Sequence, residues 1–380
     1  SNMYFPLNSA KGGSEFAKRN PSSDIRLFKY TPLAETDAVE WDSLTLAKAN
    51  TLDFFHGSWK IDEPENAGEF SAVAYAFGKK IQNETNVPVG IIEIAVGGSP
   101  LLSWVSRKTL EEDGLFSQSF KNWRNSEFII KWARERATLN SKKNPSVFQR
   151  HPYEPSYNFE AGIGKITSFP IKGLIWYQGE SDAENAELFE KLFPLFIEDW
   201  RGQFNSNFPV YYVQLSGIDR PSWNYFRDTQ RRLLSKIPNS GMAVSSDLGD
   251  RTNVHPTDKI PVGERLAALA LNQTYGFQNV VSSGPLFKSA ELNGDKIIIS
   301  FDHNTGLETA DAQPLRGFGI VNETGNFQDV QAQIVSNQIE IVVPAKAKVR
   351  SVVYAWEPFP NANLVNSAGL PASTFKFNFK

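Results

Sequence analysis

The period of the hydrophobic pattern changes once along this chain, and that change limits what it can fold into. From about residue 60 to 276, short apolar runs rich in β-branched residues alternate with longer stretches of helical period. The run 89–96 (VGIIEIAV) reads as a buried strand, preceded by an amphipathic segment over about 66–86. The run 171–177 (IKGLIWY) reads as another. After it, residues 182–204 keep Leu188, Leu192, Leu195, Phe196 and Trp200 on one helical face. Strands over 210–215 and 242–246 then alternate with helices over about 226–237 and 262–275, and 25–30 is a candidate earlier strand. This order predicts an α/β domain, a parallel sheet covered on both faces, with its chemistry at the carboxyl ends of the strands.

After about Asn279 the period falls to two. Segments 296–301, 338–343 and 351–356 are short, rich in Ile and Val, and separated by turn signals such as Asn293-Gly294-Asp295 and Thr324-Gly325-Asn326. We therefore expect a catalytic α/β domain over 1–278 and a small all-β domain over 279–380. An insert at about 106–170 has a charged, helix-like middle and a Pro- and aromatic-rich end (HPYEPSYNF). It reads as a lid or wall over a site, or as a packing insertion.

Composition excludes several classes of function. The 380 residues contain no cysteine, which removes disulfides, a thiol nucleophile and Cys-based metal sites. A formal charge of -3, with no block of one sign, argues against a nucleic-acid partner or a polybasic membrane patch. No run approaches the ~18 apolar residues a membrane span needs. Residues 1–7 lack the basic and apolar regions of a signal peptide.

There are only four histidines, and His255 is the one between a strand and a helix of the predicted sheet, stiffened by Pro256. A histidine there suits a general base. Two glycine turns follow other strands on the same edge, Gly97-Gly98-Ser99-Pro100 and Gln178-Gly179-Glu180-Ser181. Glycine lets backbone N–H groups approach a ligand closely, as an oxyanion hole requires, and Gln178 adds an amide donor; both are also ordinary tight turns. No serine lies in a G-x-S-x-G elbow. Ser99 is a substitute nucleophile but reads better as an N-cap ahead of Pro100, which leaves Ser1.

At these residues the sequence resembles the sialate O-acetylesterase family of the SGNH hydrolase superfamily. SNMYFPL is similar to the family's nucleophile block, usually Gly-Gln-Ser-Asn-Met. VPVGIIEIAVGGSPLLSW, IKGLIWYQGESD and DLGDRTNVHPTDKIPVGERLA resemble its second, third and histidine blocks, in order and at fitting spacing, and VVYAWEPFPNANLVNSAGLPAS continues the likeness to the C-terminal segment. The resemblance implies a three-layer α/β/α fold and a serine esterase that removes O-acetyl groups from sialic acid, with acetylxylan or another acetylated polysaccharide as the alternative substrate. Ser1 would be the nucleophile and His255 the base; the Ser1 N–H, a glycine N–H at Gly97 or Gly98 and the Gln178 side chain would hold the oxyanion, supported by Asn2 and Glu180. The family's acid, usually two or three residues before the histidine, is replaced by Asn253 and Thr252. Asp250 or Asp247 could then complete the triad, or the site could work as a dyad.

The resemblance implies no metal or cofactor, and the partner is an O-acetylated sugar. The Gly-Gln pair and the strand that presents the serine are absent, so we expect a fragment or one chain of a cleaved protein. The signal peptide would then lie upstream and the protein would be secreted or periplasmic, with a cytoplasmic or lysosome-like compartment as alternatives. Two other readings stand beside this one. Ser1 could act as an N-terminal nucleophile with its own amine as base, or the chain could bind sugar without catalysis through Trp104, Tyr153, Trp176 and Tyr177. Arg107, Arg124 and Arg150 are candidates for a charged ligand.

Overall fold

The computed structural model describes residues 1–19, 21–37, 39–345 and 347–379. The chain runs through α1 (Gly13–Lys18), β1 (Ile25–Pro32), α2 (Ser43–Asn50), β2 (Phe55–His56), β3 (Trp59–Ile61), α3 (Pro64–Gly68), α4 (Ala72–Thr85) and β4 (Val89–Ile94). The insert carries α5 (Arg107–Glu112), α6 (Lys131–Asn140) and α7 (Tyr157–Ala161). Strand–helix alternation resumes with β5 (Leu174–Trp176), α8 (Ala186–Gln203), β6 (Val210–Gln214), α9 (Trp223–Leu233), β7 (Ser240–Val244) and α10 (Ile260–Gln273). Strands only follow: β8 (Leu286–Asn293), β9 (Lys296–Asp302), β10 (Glu308–Thr309), β11 (Phe318–Asn322), β12 (Phe327–Asp329), β13 (Ala332–Val335), β14 (Gln338–Val342), β15 (Val349–Tyr354), β16 (Leu364–Val365) and β17 (Phe375–Asn378). Two compact units result. The first is Ser1–Tyr211, Lys236–Ser240 and Thr257–Ala267, and the second is Tyr212–Ser235, Gly241–Pro256 and Ala268–Lys380.

In the first unit β1 pairs in parallel with β4, from Ile25 opposite Val89 to Tyr30 opposite Ile94, and antiparallel with β3 and β2. The amphipathic segment expected over 66–86 is two helices. Ser71 breaks it by capping α4, its Oγ accepting the Ala74 N–H at 3.0 Å, and Asn86 closes α4 in a left-handed conformation (φ +53°). Gly78 sits where α4 crosses β4: a Cβ there would lie 2.2 Å from Ile91 Cδ1.

Strands β5, β6 and β7 form a separate three-stranded sheet in that order. The strands expected in one sheet therefore occupy two. β5 is shorter than the run 171–177 because its neighbour Pro209 has no N–H to donate, so pairing begins at the Leu174 N–H, 3.0 Å from Pro209 O. Helix α8 is where expected, but its fully buried stripe is Phe189, Leu192, Phe193, Phe196, Ile197 and Trp200; Leu188 and Leu195 are half-buried at its margin. Aromatic packing sets that rotation, with Phe196 4.6 Å and Trp200 6.1 Å from the Trp176 ring.

The second unit carries two antiparallel four-stranded sheets, β13-β14-β9-β8 and β12-β11-β15-β17. The two-residue period is visible in β9, where Ile297, Ile299 and Phe301 are buried and their neighbours are not. With Ile320, Ile339, Ile341, Val352, Tyr354 and Phe375 they make one apolar core. Each such side chain contributes about 1.5–3 kcal/mol by leaving water. α9 in the same unit sends the fully buried Arg227 to the carbonyls of Ala355 (3.0 Å), Glu357 (2.5 Å) and Pro358 (2.8 Å), and burial lowers its guanidinium to about 9. Among the described residues no helix is long and apolar enough to cross a membrane.

Candidate active site

The turn after β4 is built to leave space. The Gly97 carbonyl accepts from Thr36 Oγ1 at 2.9 Å and from the Tyr153 hydroxyl at 2.7 Å. Ser1 lies beside it: a Cβ added to Gly97 would stand 3.7 Å from Ser1 Cβ and 3.1 Å from the Tyr4 hydroxyl. Gly98 is left-handed (φ +73°), and a Cβ there would come within 2.6 Å of the Tyr153 hydroxyl and 3.0 Å of the Trp132 ring. Both strain and space thus require glycine at 98. Ser99 is neither an N-cap nor available as a nucleophile. Buried, its Oγ donates to Val96 O at 2.9 Å and accepts from Trp104 Nε1 at 2.9 Å, while Pro100 holds the cap position with no side-chain cap bond.

The second turn is bonded to the first. Ser181 Oγ donates to Gly98 O at 2.9 Å. Gln178 Nε2 donates to Asp182 Oδ2 at 2.5 Å and to Ser99 O at 3.2 Å, and its buried Oε1 has no hydrogen-bond partner among the described residues. Both hydrogens of the expected amide donor are therefore engaged within the turns. Asp182 also accepts the Leu101 N–H at 3.2 Å, yet burial outweighs these bonds and pushes its carboxyl up to about 7.

Beneath these turns Asn2, Glu180 and Lys259 form a polar knot. Buried Asn2 donates Nδ2 to Glu180 Oε1 and accepts Lys259 Nζ on Oδ1 at 2.5 Å. Lys259 is buried too, its ammonium 5.3 Å from the Phe5 ring and 5.4 Å from the Tyr177 ring. Burial lowers that amine to about 8, against the opposing pull of Glu180. The segment that carries Asn2 is pinned by Leu7 N–H to Phe70 O and Ala72 N–H to Phe5 O, both 2.9 Å.

His255, Asp247 and Asp250 lie in the second unit, on the loop between β7 and α10. His255 is half-buried, and its backbone N–H donates to Asn253 Oδ1 at 2.9 Å. Asp250 is exposed, and its Oδ1 accepts the N–H groups of Thr252 (2.9 Å) and Asn253 (2.8 Å) and the Thr252 hydroxyl (3.2 Å). Those bonds hold it below the usual carboxylate range. Asp247, also exposed, stands in the short helical turn Ser246–Leu248.

The insert supplies a wall through Tyr153 and Trp132. The three arginines named as candidates for a charged ligand are spent within it. Arg107 pairs with Glu160 at 2.7 Å, Arg150 with Glu160 at 2.5 Å and Glu154 at 2.9 Å, and Arg124 bonds Ala137 O, Ser141 Oγ and Gln149 O at 3.1 Å. His151 is fully buried, receives the Tyr153 N–H on Nδ1 at 3.0 Å, and is held neutral by burial and by Arg124. The aromatics considered as sugar platforms are packed as well: Trp104 and Tyr177 are buried, and Trp176 is half-buried among Trp104, Phe196 and Trp200.

Sequence reasoning overlooked Lys259 and Asp182. The only sequence signals are a lysine four residues after His255 and an acid four residues after Gln178; the burial that makes them notable comes from the fold.

Comparison with known proteins defines the class first. Residues 148–272 match the family described as carbohydrate esterase, sialic acid-specific acetylesterase. A crystal structure of a carbohydrate acetylesterase from Xanthomonas citri superposes with a TM-score of 0.78 at 29% identity, covering 100% of this chain and 79% of that one. The particular relationship is to the sialate O-acetylesterases, and the resemblance carried by the four sequence blocks holds. The mouse sialate O-acetylesterase is 31% identical over 340 residues, 81% of this chain and 61% of its own length. The rat protein of the same name is 27% identical over 364 residues, covering 86% and 64%. The chain thus spans less than two thirds of these relatives.

Proposed function

We propose that this chain carries the site of a serine carbohydrate esterase that removes O-acetyl groups from a sugar. The observation that carries the proposal is the convergence of Ser1 with the Gly97 turn, over a knot that joins Asn2, Glu180 and Lys259 from three distant parts of the sequence. In this reading Ser1 Oγ attacks the acetyl carbonyl while His255 accepts the hydroxyl proton. The N–H groups of Ser1 and of Gly97 or Gly98 hold the tetrahedral oxyanion. Gln178 is the weakest donor, since its amide is shared with Asp182 and Ser99 O. Collapse expels the sugar oxygen, which takes the proton from the imidazolium. Water, deprotonated by His255, then releases acetate and restores Ser1.

Asp247 is the better candidate for the acid behind His255, because Oδ1 of Asp250 already serves three donors of its own loop. Asn2 and Glu180 act as positioning residues beneath the nucleophile. We assign residues 1–278 to one catalytic domain of three-layer α/β/α type, 279–380 to a β domain, and the protein to a secreted or periplasmic location.

The names of the curated relatives favour O-acetylated sialic acid as substrate. One observation favours an acetylated neutral polysaccharide: all three arginines of the insert considered for a sialic carboxylate are bonded within the insert. Acetate release from 9-O-acetyl sialic acid and from acetylated xylooligosaccharide, by wild type, Ser1→Ala and His255→Ala, tests the reading. A loss of about a thousandfold or more in both variants is expected. Activity retained in Ser1→Ala would sink it, a full rate in His255→Ala would point to the Ser1 amine as base, and an inert wild type would point to a sugar-binding protein.

A further inference from the structure

The second unit holds a cavity of about 400 Å³ that the esterase reading does not use. Its lining includes the rings of Trp356 and Phe327, with the buried Phe318 behind them, and five polar side chains, Arg316, Asp329, Gln331, Glu357 and Asn361. Volume and lining fall in the range of small-molecule sites, about 300–1,000 Å³ with a few polar groups among apolar ones.

The rings are fixed by the fold. Ala355 is left-handed (φ +50°) at the end of β15, its N–H bonded to Gly317 O at 2.9 Å, and this kink sets Trp356 at the rim. The edge of Tyr225 meets the Trp356 ring at 5.1 Å, and Lys376 Nζ stands 5.5 Å from its centre. Phe327 lies across Gly319 of the adjacent strand, where a Cβ would come within 2.3 Å of the ring, yet it is 45% exposed. A core aromatic would not leave that much apolar surface in water. The polar groups are free to act. Among the described residues the side chains of Asp329, Gln331 and Glu357 take part in no hydrogen bond or ion pair, whereas the lining guanidinium of Arg316 is taken up by Asp311 (2.6 Å) and Asn361 (2.7 Å).

We infer that this cavity binds a neutral pyranose unit of a glycan chain. One face of a pyranose presents C–H groups of slight positive charge, which suit the negative face of an aromatic ring. Its hydroxyls are donors that carboxylates and amide oxygens accept well. Two unpaired carboxylates beside a guanidinium that is already paired disfavour an anionic sugar. The inference stands apart from ester hydrolysis, since binding here needs neither Ser1 nor His255.

Calorimetric titration of the full chain with xylotetraose, cellotetraose and, as the anionic probe, sialyllactose tests it, with p-nitrophenyl acetate hydrolysis read in parallel. Saturable binding of at least one neutral tetraose is expected, weakened about tenfold or more in both Trp356→Ala and the exposed Phe327→Ala. Ester hydrolysis in those variants should match wild type. Absence of binding to either neutral probe, wild-type affinity in both variants, or tighter binding of sialyllactose would each overturn the inference. Failure of the esterase reading would instead show as absent hydrolysis with sugar binding intact.

Discussion

Two groups of enclosed charges in the first unit are built on opposite principles. In the insert, Arg107 and Arg150 face Glu154 and Glu160, and pairing prevails at two of these groups: Arg150 is held above its usual range by its carboxylates and Glu160 below its own by the two arginines, although burial opposes both shifts, while at Glu154 burial wins and raises the carboxyl. In the knot beneath Ser1, Lys259 falls to about 8 and nearby Asp182 rises to about 7, in each case because burial exceeds what neighbouring groups return. A cluster that neutralises itself fastens a fold. One left partly uncompensated holds protons near neutral pH, as acid–base sites do.

The difference is open to test by removing one member of each group. Lys259→Met leaves Asn2 Oδ1 without its donor and Glu180 without a nearby cation. A small misplacement of Ser1 should lower kcat/KM for acetate release by about a hundredfold. An unchanged rate would make the knot structural only. Arg150→Ala should do the reverse. It leaves Glu154 and Glu160 to share Arg107 alone, and denaturant melts should show a loss of about 2 kcal/mol, discounted for partial exposure, with kcat within about twofold of wild type. A smaller effect is expected from pH. Asp182 is protonated in the folded chain up to about 7 but would already be ionised in the unfolded one above about 4, so the folded state binds the extra proton between those values. Stability should fall as pH rises through that window, by at most ~1.4 kcal/mol per unit, and level off above it. Glu93, buried and raised to about 7, adds a fall of the same sign. Asp182→Asn should reduce the slope of stability between pH 5 and 7; the wild-type slope in the variant would contradict the assignment.

Sequence and structure agree where the signal is local. The run 89–96 is followed by Gly97 and Gly98, and β4 leads into a turn that needs one of them; the alternation of 296–301 becomes β9 because period two is a property of neighbouring residues. What escaped the sequence depends on distant partners. Lys259 meets Asn2 across 257 positions and Asn2 meets Glu180 across 178, so nothing around any one of them shows that it is buried. Pro100 after Ser99 is the local signature of a helix start. The Trp104 indole five residues beyond that serine, together with Val96 O, captures its hydroxyl instead. Nor does the sequence show that Arg107, Arg124 and Arg150 are engaged, because the carboxylates, carbonyls and hydroxyl that hold them meet them only in the folded insert.

The central claim is that Ser1 is the reacting group. A fluorophosphonate, which transfers its phosphonyl group to an activated serine oxygen with loss of fluoride, tests this directly when the modified protein is digested and its peptides are weighed. A single adduct on the peptide containing Ser1, strongly reduced in His255→Ala, is the predicted result. An adduct on another serine, or none in a preparation that releases acetate, would contradict it.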